Sequence, residues 1–249
     1  VPVTARFSMA GGNPKAPENS RSPRGLALQL KSPNGELQHF AMLSTPVFGA
    51  KDPDVFLGLL KSSLPDPATG KPDLAKIQAF RQANPSTLPQ AEYLQKNSPP
   101  WSYATTSYFG IHSFFLTDSS GVEHKVRWQF VPADGIKGLT DAEIKAPPQD
   151  FLQQRLAQRL QQGAIRWTMQ LVLGEAGDSE TDPSQSWPAG RKTLDIAELS
   201  IQSQGGDACT GINFDPNVLS KGVRASTDPV LAMRSPAYAI SFGKRLTGQ

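Results

Sequence analysis

Two residues near the carboxyl end of the chain have types and a spacing that could support chemistry. Arg234 and Tyr238 are four positions apart, and on a helix they would share one face. A free tyrosine is neutral at pH 7, with a pKa near ~10, and an adjacent guanidinium or ferric ion lowers that pKa. An arginine-supported tyrosinate is therefore a hard anionic ligand suited to Fe(III). The alternative interpretation is a tyrosine packed beside a surface arginine, and the pair alone favours that alternative.

The other residue types that often do chemistry form no recognised motif. The three histidines, His39, His112 and His124, show no metal-ligand spacing, and the chain has no HExxH, GxSxG or glycine-rich phosphate motif. Its one cysteine, Cys209, can form neither an intramolecular disulfide nor a cysteine-rich zinc site. These observations argue against serine and zinc hydrolases, and we expect His39 and His124 to be structural.

The composition indicates a packed domain of many short elements. The 249 residues include 21 glycines and 22 prolines, more than the usual ~12% for the two together, which excludes a coiled coil or long-helix bundle. The net charge of +3 is small and the chain has no dense basic cluster, so nucleic acid is not expected as a partner. No run of about 18 apolar residues is present, so we predict no transmembrane helix.

The pattern of turns and alternating residues predicts an antiparallel sheet. Asn34-Gly35 is a strong hairpin signal between strands at 25–30 and 37–43. A second hairpin joins an aromatic strand at 108–117 to an alternating one at 126–130. Further predicted elements are strands at 167–173 and 194–201, and helices at 54–62, 73–83, 89–96, 150–163 (capped by Asp150) and 230–242, in which Pro236 favours a start near Arg234. We predict an α+β fold, an antiparallel β-barrel, closed or nearly closed, with inserted and C-terminal helices.

Several modest motifs, taken in chain order, resemble the catalases. The final one is Arg-x-x-x-Tyr at Arg234–Tyr238, followed by Arg245, which is similar to their haem-ligating segment. The other matching stretches are Arg6–Ser8, Arg21–Gly25, Thr45–Phe48, Asp52–Phe56, Phe109–Phe114, Phe214–Pro216 and Gly222–Ser226. The short C-terminus, Cys209 and the Trp187-Pro188 loop look most like the small catalase-related peroxidases. The resemblance implies one catalase-like haem-binding domain over residues 1–249, without the N-terminal segment of the family.

The resemblance also implies roles on the proximal side of a haem. Tyr238 would be the axial ligand of the iron, and Arg234 would hold it as phenolate. Arg6 and Arg245 would pair with the two propionates, since arginine suits bidentate carboxylate contacts. His112 would lie against the proximal side, near the macrocycle.

On the ring and its distal side, the resemblance implies four further roles. Phe56 would stack on the haem, Phe48 would line the distal pocket, and Ser8 would fix the tautomer of the family's distal histidine. That histidine lies in a segment that would precede Val1, and its loss would remove ~10²–10⁴-fold of acid–base catalysis. Leu43 occupies the position of the distal asparagine and cannot donate a hydrogen bond, which puts efficient dismutation in doubt.

The sequence therefore predicts a haem b peroxidase that reduces hydrogen peroxide with a small organic electron donor, with weak catalase activity left open. Two alternatives are an enzyme that transforms fatty-acid hydroperoxides and a barrel that binds haem without turnover. A third is a structural protein with a degenerate barrel. Homo-oligomerisation and compartment are left open, although the resemblance favours a periplasmic location over a cytoplasmic one.

Overall fold

The computed structural model of the chain describes residues 1–11 and 16–248. The strands are β1 (Val3–Met9), β2 (Arg24–Lys31), β3 (Leu37–Leu43), β4 (Tyr108–Phe109), β5 (Phe114–Thr117), β6 (Glu123–Pro132), β7 (Ile165–Leu173), β8 (Thr193–Ile201) and β9 (Val223–Ala225). The α-helices are α1 (Pro53–Ser62), α2 (Leu74–Ala83), α3 (Leu88–Lys96), α4 (Asp141–Lys145), α5 (Phe151–Leu160) and α6 (Pro229–Thr247). The predicted elements are present with bounds that differ by a few residues, except that the strand predicted at 108–117 is divided in two.

The strands form one nine-stranded antiparallel sheet. Its order is β1-β2-β3-β4-β6-β5-β9, and β7 pairs with both β6 and β8. The α+β class is confirmed, but the expected closure of a barrel is wrong for the described residues. There β1 pairs only with β2 and β8 only with β7, and both edges line a cleft instead of hydrogen-bonding to each other.

One hydrophobic core lies against one face of the sheet. Trp128 and Phe114 stack in it with ring centroids 4.1 Å apart, and Phe40 meets Trp128 edge-on at 5.0 Å. Phe151 and Leu152 of α5 are fully buried in the same core. Alternate residues of each strand reach this core, so their neighbours face the other side, where the candidate site is built. No helix within 1–11 and 16–248 is both long and apolar enough to cross a bilayer.

The segment predicted as one strand at 108–117 is two strands, β4 and β5. The backbone N–H of Gly110 donates to the Trp128 carbonyl at 2.8 Å, and the chain then leaves the sheet for residues 110–113. The close approach requires glycine, because a Cβ at Gly110 would lie 2.2 Å from Trp128 Nε1. This break turns His112 out of the sheet and toward α6.

We predict that Gly110→Ala destabilises the fold by about 1–3 kcal/mol, because the added methyl group overpacks against the buried indole. Urea unfolding of wild type and variant measures the change in the free energy of unfolding. Gly177→Ala is the matched control, since a Cβ there meets nothing within 4 Å. Equal stability of the two variants would contradict this account of the strand break.

Two helix starts differ from prediction. Asp150 does not cap α5: its φ is +49° and its side chain makes no capping bond, while the Glu18 carboxylate accepts from Leu152 N at 2.8 Å. Helix α6 begins at Pro229, not near Arg234, and encloses Pro236. A strong cap at Asp228 with proline in the first turn explains the earlier start.

Candidate functional site

Helix α6 places Arg234 and Tyr238 on one face, as their spacing predicts. Arg234 Nη2 donates a hydrogen bond to the Tyr238 hydroxyl oxygen. The guanidinium carbon lies 5.0 Å from the centre of the tyrosine ring. Tyr238 is half-buried, so its oxygen is held by a cation and is still reachable by a ligand.

The same arginine reaches a buried histidine. Arg234 Nη1 lies 3.1 Å from His112 Nε2, and His112 Nδ1 lies 2.6 Å from Asp228 Oδ2. A guanidinium only donates hydrogen bonds, so Nε2 accepts and Nδ1 carries the proton that it donates to Asp228. The tautomer of the His112 ring is thus fixed on both sides. Asp228, His112, Arg234 and Tyr238 form one hydrogen-bonded series, which we call the proximal relay.

Asp228 joins the relay to the start of α6. Its Oδ1 accepts from the backbone N–H groups of Val230 at 2.8 Å and Leu231 at 3.2 Å, while Oδ2 faces His112. The carboxylate is 1% exposed. The sequence analysis did not identify Asp228, although an aspartate directly before a proline is a usual helix-start signal. The Asp228 side chain therefore caps the helix that carries Tyr238 and also orients His112.

A second buried guanidinium, that of Arg127, lies beside the relay. Arg127 Nη1 donates to the Gln185 carbonyl at 2.7 Å, Nε lies 3.4 Å from Ser113 Oγ, and the Trp187 ring stacks on it at 4.7 Å. Burial lowers the pKa of Arg127 to about 10, and the nearby Asp228 carboxylate opposes that shift. Sequence reasoning missed Arg127, because alternation on β6 places it only on a face and not beside a particular residue.

The relay keeps His112 neutral. Burial is the largest cause that lowers its pKa to about 4, and the cations Arg234 and Arg127 act in the same direction. The hydrogen bond that His112 Nδ1 donates to Asp228 opposes the shift without reversing it. A neutral imidazole can accept from Arg234, which an imidazolium cannot do.

We predict that His112 makes the fold less stable as the pH falls. The pKa of His112 is lower in the folded chain than in the unfolded chain. The stabilisation that neutral His112 provides is therefore fully present above about pH 6.5 and is lost as the pH falls through about 4. The shift corresponds to about 3 kcal/mol. Urea unfolding at pH 7 and pH 4 should show this loss in wild type beyond the loss in His112→Gln, whose amide can make the same two hydrogen bonds without titrating. Equal pH dependence in both proteins would contradict the prediction.

Arg6 and Arg245 approach each other near Tyr238. The Arg6 guanidinium lies over Phe214 at 4.9 Å, and its buried Nε has no hydrogen-bond partner among the described residues. Burial is the main cause that lowers the Arg6 pKa, followed by the charge of Arg245. Arg245 is held by the carbonyl of Ile212 at 2.9 Å. Two cations that face each other without a carboxylate partner in the described structure suit a ligand with two anionic groups.

Ser8 and Leu43 share the face of the sheet opposite the core. They pair in one row through Gly25 of β2, and a Cβ at Gly25 would lie 2.6 Å from Ser8 Oγ. The next row contains Arg6, Ala27 and Ala41. The small residues Gly25, Ala27 and Ala41 leave room over β2 and β3, and Leu43 offers only apolar surface there.

Phe48 and Phe56 pack against each other with ring centroids 4.7 Å apart. Phe48 is fixed by its backbone N–H, which donates to the Pro183 carbonyl at 2.9 Å. Phe56 lies in α1, which contacts α6. The structure thus groups the two phenylalanines, and it groups Tyr238 with Arg234, His112, Arg6 and Arg245.

The remaining histidines make local contacts outside these groups. His39 is buried, with Nε2 2.8 Å from Gln29 Nε2 and Nδ1 3.1 Å from the Asp215 carbonyl, and burial lowers its pKa. His124 forms an exposed pair with Asp118 at 2.8 Å. In the part of the chain that the structure describes, no three His, Cys, Asp or Glu side chains gather as metal ligands would.

The chain is similar to proteins of known family. The Catalase family profile matches residues 1–249. A catalase-related peroxidase of Synechococcus elongatus is 47% identical over 251 residues, covering all of this chain and 74% of that protein. One of Mycolicibacterium paratuberculosis is 29% identical, covering 98% of this chain and 78% of that protein.

Solved structures give the same fold. Catalase A from Saccharomyces cerevisiae superposes with a TM-score of 0.86 at 24% identity, and a fungal catalase with 0.87 at 22%. Each match covers 98% of this chain but about half of the larger protein, 53% and 52% respectively. The chain therefore belongs to the catalase family, as one of the catalase-related peroxidases, which are oxidoreductases that act on peroxide.

Proposed function

We propose that this chain is the haem-binding domain of a peroxidase that reduces hydrogen peroxide with electrons from a small organic donor. The observation that carries the proposal is the proximal relay, which ends on the hydroxyl oxygen of Tyr238. Tyrosine is one of the residues that bind haem iron. A tyrosine that only packed beside a surface arginine would not need the buried Asp228 and His112 behind that arginine.

The residues of the site fit haem b as the cofactor. Tyr238 would bind the iron. Arg6, whose Nε has no partner in the described part of the chain, would take the two propionates together with Arg245, and Phe48 and Phe56 would cover the ring. When bound, haem supplies the redox chemistry of its iron, which the protein tunes.

The proximal relay would hold Tyr238 as a phenolate. Arg234 donates one hydrogen bond to Tyr238 and one to His112, so its charge stays fixed beside the tyrosine oxygen. A fixed cation there would offset the negative charge of a tyrosine oxygen bound to iron. His112 stays neutral, and its Nδ1–H donates a hydrogen bond to Asp228. Arg234 therefore faces an acceptor nitrogen of the ring and not a second cation.

On the opposite face, Ser8 and Leu43 would determine what happens to peroxide. We propose that Ser8 orients a histidine supplied from outside these 249 residues, because His39, His112 and His124 are all held elsewhere. That histidine would move the proton between the peroxide oxygens. Leu43 cannot orient a second peroxide as reductant, which favours an organic donor over dismutation.

The test compares two activities of the full-length, haem-loaded protein. We expect rapid peroxide-dependent oxidation of guaiacol and slow release of oxygen from peroxide alone. Leu43→Asn should raise oxygen release at least ~10-fold, because a single well-placed hydrogen-bond donor can change a rate by that much. Haem uptake without turnover of either substrate, or activity only with fatty-acid hydroperoxides, would overturn the proposal.

A further inference from the structure

A cavity of about 300 Å³ lies beside the end of β3. It is lined by α3, by the segment 98–106 and by the segment 136–139. The two segments are fastened together, since Leu139 N donates to the Pro99 carbonyl at 2.8 Å and Trp101 N to the Lys137 carbonyl at 2.9 Å. Gly138 lets them approach, because a Cβ there would lie 2.7 Å from Ser98 Cβ. The walls are therefore preformed, and the volume is at the lower end for small-molecule sites.

The floor of the cavity offers a hydrogen bond. Ser44 is 7% exposed, and its Oγ accepts from Arg24 N at 2.9 Å. The hydroxyl proton has no acceptor among the described residues, so it is available to a ligand. The sides next to the floor are apolar: Tyr93 is half-buried, and Pro99 and Leu139 are buried. A buried hydroxyl between apolar walls suits a flat ring with an oxygen at its inner end.

The rim of the cavity is positive. Three cationic side chains line it, Arg21, Lys96 and Lys137, and no lining residue within the described ranges carries a carboxylate. Arg21 uses only Nη1 to hold the last carbonyls of α3. Lys96 pairs with Glu92 at 3.7 Å in an exposed contact, and such pairs contribute little. The Lys137 ammonium lies over the Trp101 ring, 4.1 Å from its centroid, and keeps its full charge there. The rim therefore favours an anionic group at the outer end of a ligand.

We propose that this cavity binds the electron donor of the enzyme, and that the donor is a phenolic carboxylate. The phenol oxygen would accept from Ser44, the ring would lie between Tyr93 and Leu139, and the carboxylate would face Lys96 and Lys137. This inference rests on the proposed function and adds a location and a chemical class for the donor.

The cavity is connected to the candidate site through the chain segment that follows β3. Ser44 directly follows Leu43, so their Cα atoms are ~3.8 Å apart. Helix α3, which carries Tyr93 and Lys96, is tied to the segment before Phe48: Gln90 Nε2 donates to Thr45 Oγ1 at 3.0 Å and to the Val47 carbonyl at 2.9 Å. A donor bound in the cavity would be linked to the candidate site through one continuous segment of chain.

The overall reaction balances. Two phenol molecules each lose one electron and the phenolic proton and become phenoxyl radicals. One hydrogen peroxide takes up those two electrons and two protons, its O–O bond breaks, and two water molecules form. Peroxide is the oxidant that the established class of the enzyme already uses.

The test measures binding and turnover separately. The probes are 4-hydroxybenzoate, an anionic phenol, and tyramine, a cationic one. In Lys96→Glu/Lys137→Glu we expect the Kd of 4-hydroxybenzoate, measured by calorimetry on the chain without haem, to rise at least 5-fold, and its KM in the haem-loaded protein to rise similarly. The KM of tyramine should not rise. Lys31→Glu/Lys221→Glu, which makes the same charge change at exposed lysines outside the cavity, should change neither KM more than 2-fold.

Ser44→Ala should also raise the Kd of 4-hydroxybenzoate several-fold, and it should raise the KM of both phenols, because each would place its phenol oxygen on Ser44. An active peroxidase in which the Lys96/Lys137 variant behaves like its control would overturn the cavity as the donor site. Selective binding of 4-hydroxybenzoate with no peroxidase activity would instead overturn the proposed function and leave the cavity as a site for aromatic anions.

Discussion

Replacing Tyr238 with phenylalanine is expected to abolish stable haem binding while the chain stays folded. The variant keeps the ring and removes only the oxygen that Arg234 holds. Changes to residues that merely support an iron ligand cost ~10–100-fold in affinity, so we expect loss of the ligand itself to cost at least ~100-fold. The ferric Soret band of the purified full-length protein measures haem content, and urea unfolding of the haem-free chain measures the fold.

Tyr103→Phe is the matched control for Tyr238→Phe. Burial raises the pKa of Tyr103 to about 12, its ring stacks on Phe7 at 5.1 Å, and it lies outside the relay. This variant should retain haem. If Tyr238→Phe bound haem as tightly as Tyr103→Phe, the iron ligand would be another residue, and the role assigned to the relay would be wrong.

Local signals in the sequence predicted most of the elements but not β1, α4 or β9, and tertiary contacts explain where the predicted elements differ from the observed ones. The Asn34-Gly35 turn and the alternation of β6 report the backbone and one sheet face directly. The break between β4 and β5 is not visible in the local sequence pattern. It arises because Gly110 packs on Trp128, eighteen residues away along the chain. The false cap at Asp150 has a similar cause, because Glu18 reaches that helix end from a distant loop.

The candidate site was likewise predictable from the sequence only in part. The Arg234–Tyr238 contact follows from helical spacing alone, so it was predictable. The partners behind that contact were not predictable. His112 lies in the break between two strands, and Arg127 lies on a sheet face more than a hundred residues before Arg234. Resemblance to the family supplied His112 as a candidate. Only the structure connects it to Asp228 on one side and to Arg234 on the other.

Replacing Asp228 with asparagine is expected to damage the relay although asparagine is an equally good helix cap. Asp228 accepts hydrogen bonds on both oxygens, from the helix start and from His112. An asparagine has one acceptor oxygen and one donor nitrogen. If its oxygen caps the helix, its nitrogen meets the proton-bearing Nδ1 of His112; if it is turned around, the cap is lost. Either orientation leaves buried polar groups unsatisfied, which costs about 1–3 kcal/mol.

Asp73→Asn isolates the relay from capping in general. Asp73 caps the exposed helix α2 through one oxygen, which accepts from Ala75 N at 2.9 Å and Lys76 N at 3.1 Å, so its replacement should cost only a few tenths of a kcal/mol. Urea unfolding at pH 7 compares the two variants, and haem retention of the loaded proteins shows whether Tyr238 is still supported. We expect Asp228→Asn to lose haem faster than wild type and Asp73→Asn to match wild type. Equal stability and equal haem retention in both variants would mean that Asp228 acts as a helix cap alone, and that His112 does not need its carboxylate to hold Arg234 on Tyr238.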